Sequence, residues 1–135
     1  MLLFILGVVF SYAQCDKTKL LTASKTEYLD ANKVVQKTID ETTRIEYSKS
    51  EITIIHGTDG DQMTGTIKSD SCDWKTPFKE GRSVIKAIIT ERSGDTKNLT
   101  ITLEGKDGKL TFLAEVDEMP DRKLRLVVDK FEEKK

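Results

Sequence analysis

Apolar and polar residues alternate along most of the chain beyond residue 42. In TRIEYS, for example, Ile45 and Tyr47 share one face, while Arg44 and Glu46 share the other. A period of two is typical of a half-buried β-strand, because successive side chains point to opposite faces of a sheet. The segments with this pattern are TRIEYS, EITIIH, MTGTIKS, SVIKAIITE, NLTITLEG, KLTFLAEV and KLRLVVD. The pattern therefore predicts an all-β protein.

Residues that favour turns separate these strands. Asp107 and Gly108 in GKDGK tolerate the positive φ angles of a tight hairpin, which predicts a β-hairpin there. Pro120 in DEMPD cannot donate to a strand ladder. By contrast, residues 70–81, DSCDWKTPFKEG, show no regular alternation, and we expect a long irregular connection there.

Residues 25–39 allow two interpretations. Ser24 and Glu27 form a capping box, and apolar residues follow at near-helical spacing, which favours a helix. Alternatively, KTEYL and KVVQKTI are two β-rich runs on either side of a turn at residues 30–33. We favour the hairpin, which brings the total to eight or nine antiparallel strands. So many strands are best accommodated in a closed up-and-down barrel or, alternatively, in a two-sheet β-sandwich.

The first thirteen residues have the pattern of a secretory signal peptide. A short apolar run is followed by Ser11 and Ala13, small residues that fit cleavage before Gln14. Residues 14–135 then form a single β domain, and we expect an exported protein, periplasmic or extracellular, without a stable membrane anchor. The apolar run is too short to span a bilayer, which needs about 20 residues.

Cys15 and Cys72 are the only cysteines. In an exported protein an even number favours a disulfide, so we predict that they pair. The alternative is that Cys15 is the lipidated first residue of a lipoprotein. Tyr12 and Gln14 do not fit that processing site, which prefers Leu three residues before the cysteine and a small residue directly before it.

The charges of the chain nearly cancel, with 22 basic and 23 acidic residues. A balance with interspersed signs gives no extended positive field, so we expect no nucleic-acid partner. His56 is the only histidine, and no neighbour in sequence supplies a nucleophile, so a structural role is favoured over a catalytic one. The acids of DGDQ at residues 59–62 and of DEMPD favour solvated turns over cation sites. We expect no cofactor, no metal and no enzymatic activity.

Trp74 and Phe78 belong to CDWKTPF, the most distinctive segment in a chain with few aromatic residues. Two interpretations are open for this pair. The side chains could plug one end of the domain beneath a connection fixed by Cys72, or they could contact a ligand or a partner protein, because aromatic side chains supply much contact area.

In its signal peptide, its opening KLLTASKTEYLD and its strand meander from TRIEYSKSEITI to KLRLVVD, the chain resembles small exported lipocalin-like proteins of the calycin type. The Gly-x-Trp signature of true lipocalins is absent, so no contact residue of the family is carried over. The resemblance implies a barrel that binds a small apolar or amphipathic ligand. A cavity of about 300 Å³ or more would be needed for this function. The alternative function is an extracytoplasmic interaction or inhibitor module without catalytic activity.

Overall fold

Eight antiparallel strands close into a barrel in the computed structural model, which describes residues 15–57, 61–91 and 93–134. The strands are β1 (Lys19–Leu29), β2 (Val35–Tyr47), β3 (Glu51–His56), β4 (Asp61–Thr76), β5 (Glu80–Thr90), β6 (Thr96–Lys106), β7 (Lys109–Val116) and β8 (Lys123–Glu133). Each strand pairs with the next, and β1 also pairs with β8. The predicted all-β barrel is confirmed, and the sandwich alternative is wrong. The predicted signal peptide at residues 1–13 lies outside the described residues.

The hairpin predicted for the N-terminal third is confirmed, and the helical alternative is wrong. Asp30 stabilises the turn, because its Oδ1 accepts hydrogen bonds from the backbone N–H groups of Asn32 and Val34, at 2.9 and 3.0 Å. The runs KVVQKTI and TRIEYS form one long strand, β2, since β1 pairs with it from Val35 to Tyr47. This joining is why the barrel has eight strands rather than nine.

Our prediction of a long irregular connection over residues 70–81 is wrong. Strand β4 continues through Thr76, and a short turn links it to β5. The pairing of β4 with β5 shifts register between Ile67 and Ser69, where Lys68 and Ser69 are both exposed. A β-bulge of this kind changes which residues face inward, and odd-numbered residues give way to even-numbered ones. The loss of alternation in the sequence therefore marks a bulge within a strand.

The β6–β7 connection has the tight geometry that its sequence predicts. Asp107 and Gly108 have φ angles of 53° and 79°, and Lys106 pairs directly with Lys109. Two consecutive positive φ angles are what a two-residue hairpin loop requires, and Gly and Asp adopt them at low cost. The predicted hairpin is confirmed.

Apolar side chains from every second residue of the strands fill the half of the barrel that contains the β2–β3 and β6–β7 turns. We call this half the disulfide end. The fully buried members of this core include Leu21, Tyr47, Ile52, Ile85, Ile101 and Leu103. The alternation along each strand predicted their inward orientation, apart from that of Leu21.

The predicted disulfide between Cys15 and Cys72 is present, and it joins the segment before β1 to the inner face of β4. Asp16 and Lys49 form an ion pair at 2.6 Å that holds the same segment near the β2–β3 turn. A sulfur in a disulfide cannot also carry the thioether of a lipidated cysteine, so this pairing does not accommodate lipidation of Cys15. Such a bond is consistent with an oxidising, extracytoplasmic environment. Within the described ranges, no helix is long and apolar enough to cross a membrane.

We predict that Cys72→Ser lowers the free energy of unfolding under oxidising conditions. The two cysteines are 57 positions apart, and the chain-entropy model gives roughly 4 kcal/mol for a loop of this length. Urea denaturation measures the difference. Cys15→Ser is the matched control and should give the same loss, whereas all three proteins should unfold together in reductant. Equal stability of wild type and variants under oxidising conditions would contradict the prediction.

Candidate functional site

A cavity of about 660 Å³ opens at the end of the barrel opposite the disulfide. We call its opening the mouth; the β1–β2 turn and the β7–β8 turn contribute Asp30 and Met119 to it. Every strand supplies an apolar side chain to the walls. One such residue from each strand, in order, is Leu29, Ile45, Ile54, Met63, Ile89, Leu99, Phe112 and Leu126. The barrel therefore has a filled half and a hollow, mainly apolar half.

Charged side chains surround the mouth, and several of them are already paired. Lys97 lies 3.7 Å from Glu91, and Lys123 lies 2.6 Å from Glu115. Arg122 is exposed on the β7–β8 turn. An apolar interior with a charged opening is suited to molecules with an apolar body and a polar end.

The β7–β8 turn is fastened to β6 by two acidic side chains. Glu118 accepts hydrogen bonds from the backbone N–H and the side-chain amide of Asn98, at 3.0 and 2.7 Å. Asp117 accepts one from the hydroxyl of Thr100 at 3.0 Å. The bonds from Asn98 lower the pKa of Glu118, because they favour its ionised form. This anchoring holds Met119 at the mouth.

His56 lies on the cavity wall, with its Nδ1 3.5 Å from the hydroxyl of Thr43 and 3.5 Å from a carboxylate oxygen of Glu41. Both groups approach the same ring nitrogen. A catalytic triad needs the nucleophile and the acid on opposite nitrogens of the ring, so that the proton can move from one side to the other. The geometry of these three residues therefore does not match a triad.

Trp74 and Phe78, the predicted contact residues, lie at the disulfide end and do not line the cavity. Trp74 is only 2% exposed, and its ring centroid lies 5.5 Å from that of Phe131. Phe78 meets Phe131 edge-on at 4.8 Å. The indole N–H of Trp74 donates to the hydroxyl of Ser83 at 2.8 Å. The two aromatic side chains thus help to plug this end, and their role in binding stays a prediction.

Gly81 is required beside Trp74. Its φ angle is 152°, and a Cβ atom at this position would collide with the Cα of Trp74. A glycine therefore lets β5 pass close to the backbone of β4 where the indole ring is buried.

Three polar side chains are enclosed near the disulfide. Lys19 is fully buried, and its Nζ lies 4.7 Å from the centroid of the Tyr47 ring and 3.3 Å from the carbonyl oxygen of Cys15, to which it donates. Burial lowers the pKa of Lys19, and the charge of Asp70 opposes this effect. Burial raises the pKa of Asp70, and the charge of Lys19 opposes that shift. Burial also raises the pKa of Tyr47, so its phenol stays neutral.

Asp70 faces inward although its position in the sequence pattern predicts the opposite. It follows Ile67 by three positions, so regular alternation would place it outside, and only the bulge at Lys68 and Ser69 turns it inward. Its Oδ1 atom is buried and has no hydrogen-bond partner among the described residues. Lys19 could have been recognised from its alternation with Leu21, but a lysine on an apolar face is an unusual occupant of a core.

The acidic turn predicted at DGDQ is not tested, because Asp59 lies outside the described residues. In DEMPD, Asp121 lines the mouth. Within the described part of the chain, no group of three or more His, Cys, Asp or Glu side chains is arranged to hold a metal ion.

Comparisons with known proteins give no relative. No family model matches the chain, and neither the curated proteins nor the solved structures contain a significant match. The class of the protein is therefore defined by its own geometry: a closed antiparallel barrel of eight strands with an apolar cavity open at one end.

We predict that Asp70→Asn changes how stability depends on pH. The ordinary pKa of the carboxyl group is 3.8, and burial raises it in the folded state. Between these two values the folded state binds more protons than the unfolded state, so the free energy of unfolding falls as pH rises through this window. Asparagine removes this titration. The variant should therefore gain stability relative to wild type as pH rises above the ordinary pKa of the carboxyl group.

Urea denaturation at several pH values measures this difference. Asp73→Asn is the matched control, because Asp73 is exposed on the outer face of the same strand. The control should keep the pH profile of the wild type. A difference between wild type and Asp70→Asn that stays constant over the whole range would show that Asp70 does not titrate as its burial implies.

Proposed function

We propose that this protein is an exported barrel that binds a small apolar or amphipathic ligand in its cavity, as lipocalin-like proteins do. The observation that carries the proposal is the cavity of about 660 Å³ with apolar residues from all eight strands in its walls. Its volume falls within the range of roughly 300–1,000 Å³ that is usual for ligand sites. The disulfide supports a periplasmic or extracellular location.

The physical cost of a hollow interior also supports the proposal. Protein interiors are normally packed as densely as organic crystals, and an unfilled apolar cavity forfeits dispersion contacts. Water in such a space finds few hydrogen-bond partners, because the deeper wall residues, such as Ile45 and Phe112, are apolar. An apolar ligand would restore the missing contacts without rearranging the barrel.

The proposed role is binding without catalysis. His56 is the only histidine of the chain, and Thr43 and Glu41 approach the same nitrogen of its ring. Holding a ligand needs only the cavity walls and a polar group near the mouth, and it needs neither a nucleophile nor a metal.

A second candidate function is an extracytoplasmic interaction module, and the tip of the β1–β2 hairpin favours it. Val34, Val35 and Tyr28 are 55%, 40% and 38% exposed, and they flank the β1–β2 turn. Exposed apolar residues at one place often mark a contact surface. Native mass spectrometry of protein purified gently from its source separates the two candidates, because a retained small molecule and a retained protein differ in mass.

We predict that Ala114→Phe weakens binding of the fluorescent apolar probe N-phenylnaphthylamine about tenfold or more, a loss of about 1.4 kcal/mol. Ala114 is buried in the cavity wall on β7, so a larger side chain there occupies part of the space that a ligand needs. Fluorescence titration measures the dissociation constant.

Val127→Phe is the matched control, since Val127 is 47% exposed on the outer face of the neighbouring strand β8. It should bind the probe like the wild type. Circular dichroism and urea denaturation check that both variants fold. Wild-type protein that does not bind the probe, or equal binding by Ala114→Phe, would contradict the proposed function.

A further inference from the structure

His56 and Thr43 form a polar cluster on the cavity wall beside the apolar residues Ile45 and Ile54, with Glu41 behind them. Thr43 is 1% exposed, and His56 and Glu41 are partly buried. Strands β2 and β3 bring the three together, because Thr43 pairs directly with His56 and Glu41 lies two residues along the same face of β2. A small number of placed polar groups in an apolar cavity usually fixes the orientation of a ligand.

The contacts of His56 determine which of its nitrogens is free. A carboxylate can only accept hydrogen bonds, so Glu41 at 3.5 Å from Nδ1 favours the tautomer of the neutral ring with the proton on Nδ1. The hydroxyl of Thr43 can accept from the same N–H. Nε2 is then an acceptor, and the contacts of the ring with the described residues Thr43 and Glu41 are both made through Nδ1.

The charges near this cluster disfavour an anionic head group. The Glu41 carboxylate already lies beside the ring, and a second anion there would repel it. Two of the lysines at the mouth are also occupied, because Lys97 contacts Glu91 and Lys123 contacts Glu115. Arg122 could attract an anion, but it is exposed on the outer turn, where water screens its charge.

We propose that the cavity takes a ligand with an apolar body and a single hydrogen-bond donor head group, a hydroxyl or an ammonium, which donates to Nε2 of His56. The proposal rests on the proposed function, because it specifies the chemistry of the ligand in the same cavity. Thr43 and Glu41 are positioning residues, since they act by holding the ring and its tautomer. A carboxylate of equal chain length binds less tightly.

The test is displacement of N-phenylnaphthylamine by n-decanol, decylamine and decanoate, all in the same buffer. The three competitors share one alkyl chain, so the ratios of their dissociation constants report the head group alone. For the wild type we expect decanol and decylamine each to bind about tenfold more tightly than decanoate, from one hydrogen bond and the charge effect together.

Three variants make the result specific to the ring. His56→Phe keeps an aromatic side chain and removes the acceptor, so the ratio of the dissociation constants of decanoate and decanol should fall well below its wild-type value, because only the charge effect of Glu41 then remains. His56→Gln keeps an acceptor and should retain part of the preference. Val127→Phe, on the outer face, should keep the wild-type ratios. The dissociation constant of the probe is measured separately for each protein, so that each displacement curve can be converted into the dissociation constant of the competitor.

The outcomes separate this inference from the proposed function. If neither the probe nor any decyl compound binds the folded wild type, the proposed function fails and the inference fails with it. If the compounds bind but decanoate equals or exceeds decanol, the head-group inference alone is wrong. The same holds if His56→Phe keeps the full preference for decanol. A preference for decanoate that disappears in Arg122→Gln would assign the head group to an anion at the mouth.

Discussion

Closure of the barrel through β1 is the constraint on which the remaining structure depends. β1 pairs with β2 along one edge and with β8 along the other, so the first and last strands meet and no strand of the barrel is left at an open edge. This double pairing requires β1 to bend. Ser24 and Lys25 are both exposed, and the inward positions change parity there, from Ala23 on one side to Thr26 on the other. At the disulfide end of the barrel, the bond between Cys15 and Cys72 fastens the segment before β1 to β4.

An eight-stranded barrel has an interior that side chains can just fill or that can hold one small ligand. This barrel is filled along one half of its axis and hollow along the other. At the disulfide end, large aromatic rings fill the cross-section of the barrel; they belong to Tyr47, Trp74 and Phe131. Towards the mouth, smaller side chains such as Ala114 leave the centre empty. The filled end supplies the stability that allows the other end to remain hollow, and this division underlies the proposal that the hollow end binds a ligand.

Two clusters of polar groups inside the barrel have different surroundings. Near the disulfide, Lys19 and Asp70 are enclosed, and the cost of burial dominates the pKa of each despite their opposite charges. Near the mouth, His56 and Thr43 border the open cavity. The first cluster lies within the filled half of the barrel, whereas the second lies on the wall of the hollow half. The proposed head-group contact therefore belongs to the second cluster.

The sequence by itself determined the strands whose alternation is regular, the Asp107–Gly108 hairpin and the pairing of the two cysteines, because each depends on local periodicity, on turn chemistry or on a simple count of thiols. It also predicted that His56 shares a face with Ile52 and Ile54. Only the tertiary structure decided that the side chains of Asp70 and Trp74 point into the barrel, since one bulge in β4 exchanges the inner and outer positions. The nearness of Glu41 to His56 and the empty space beside Ala114 were likewise beyond the sequence. Both depend on how eight strands stagger around a closed barrel, and that stagger is set by pairing between residues far apart in the chain.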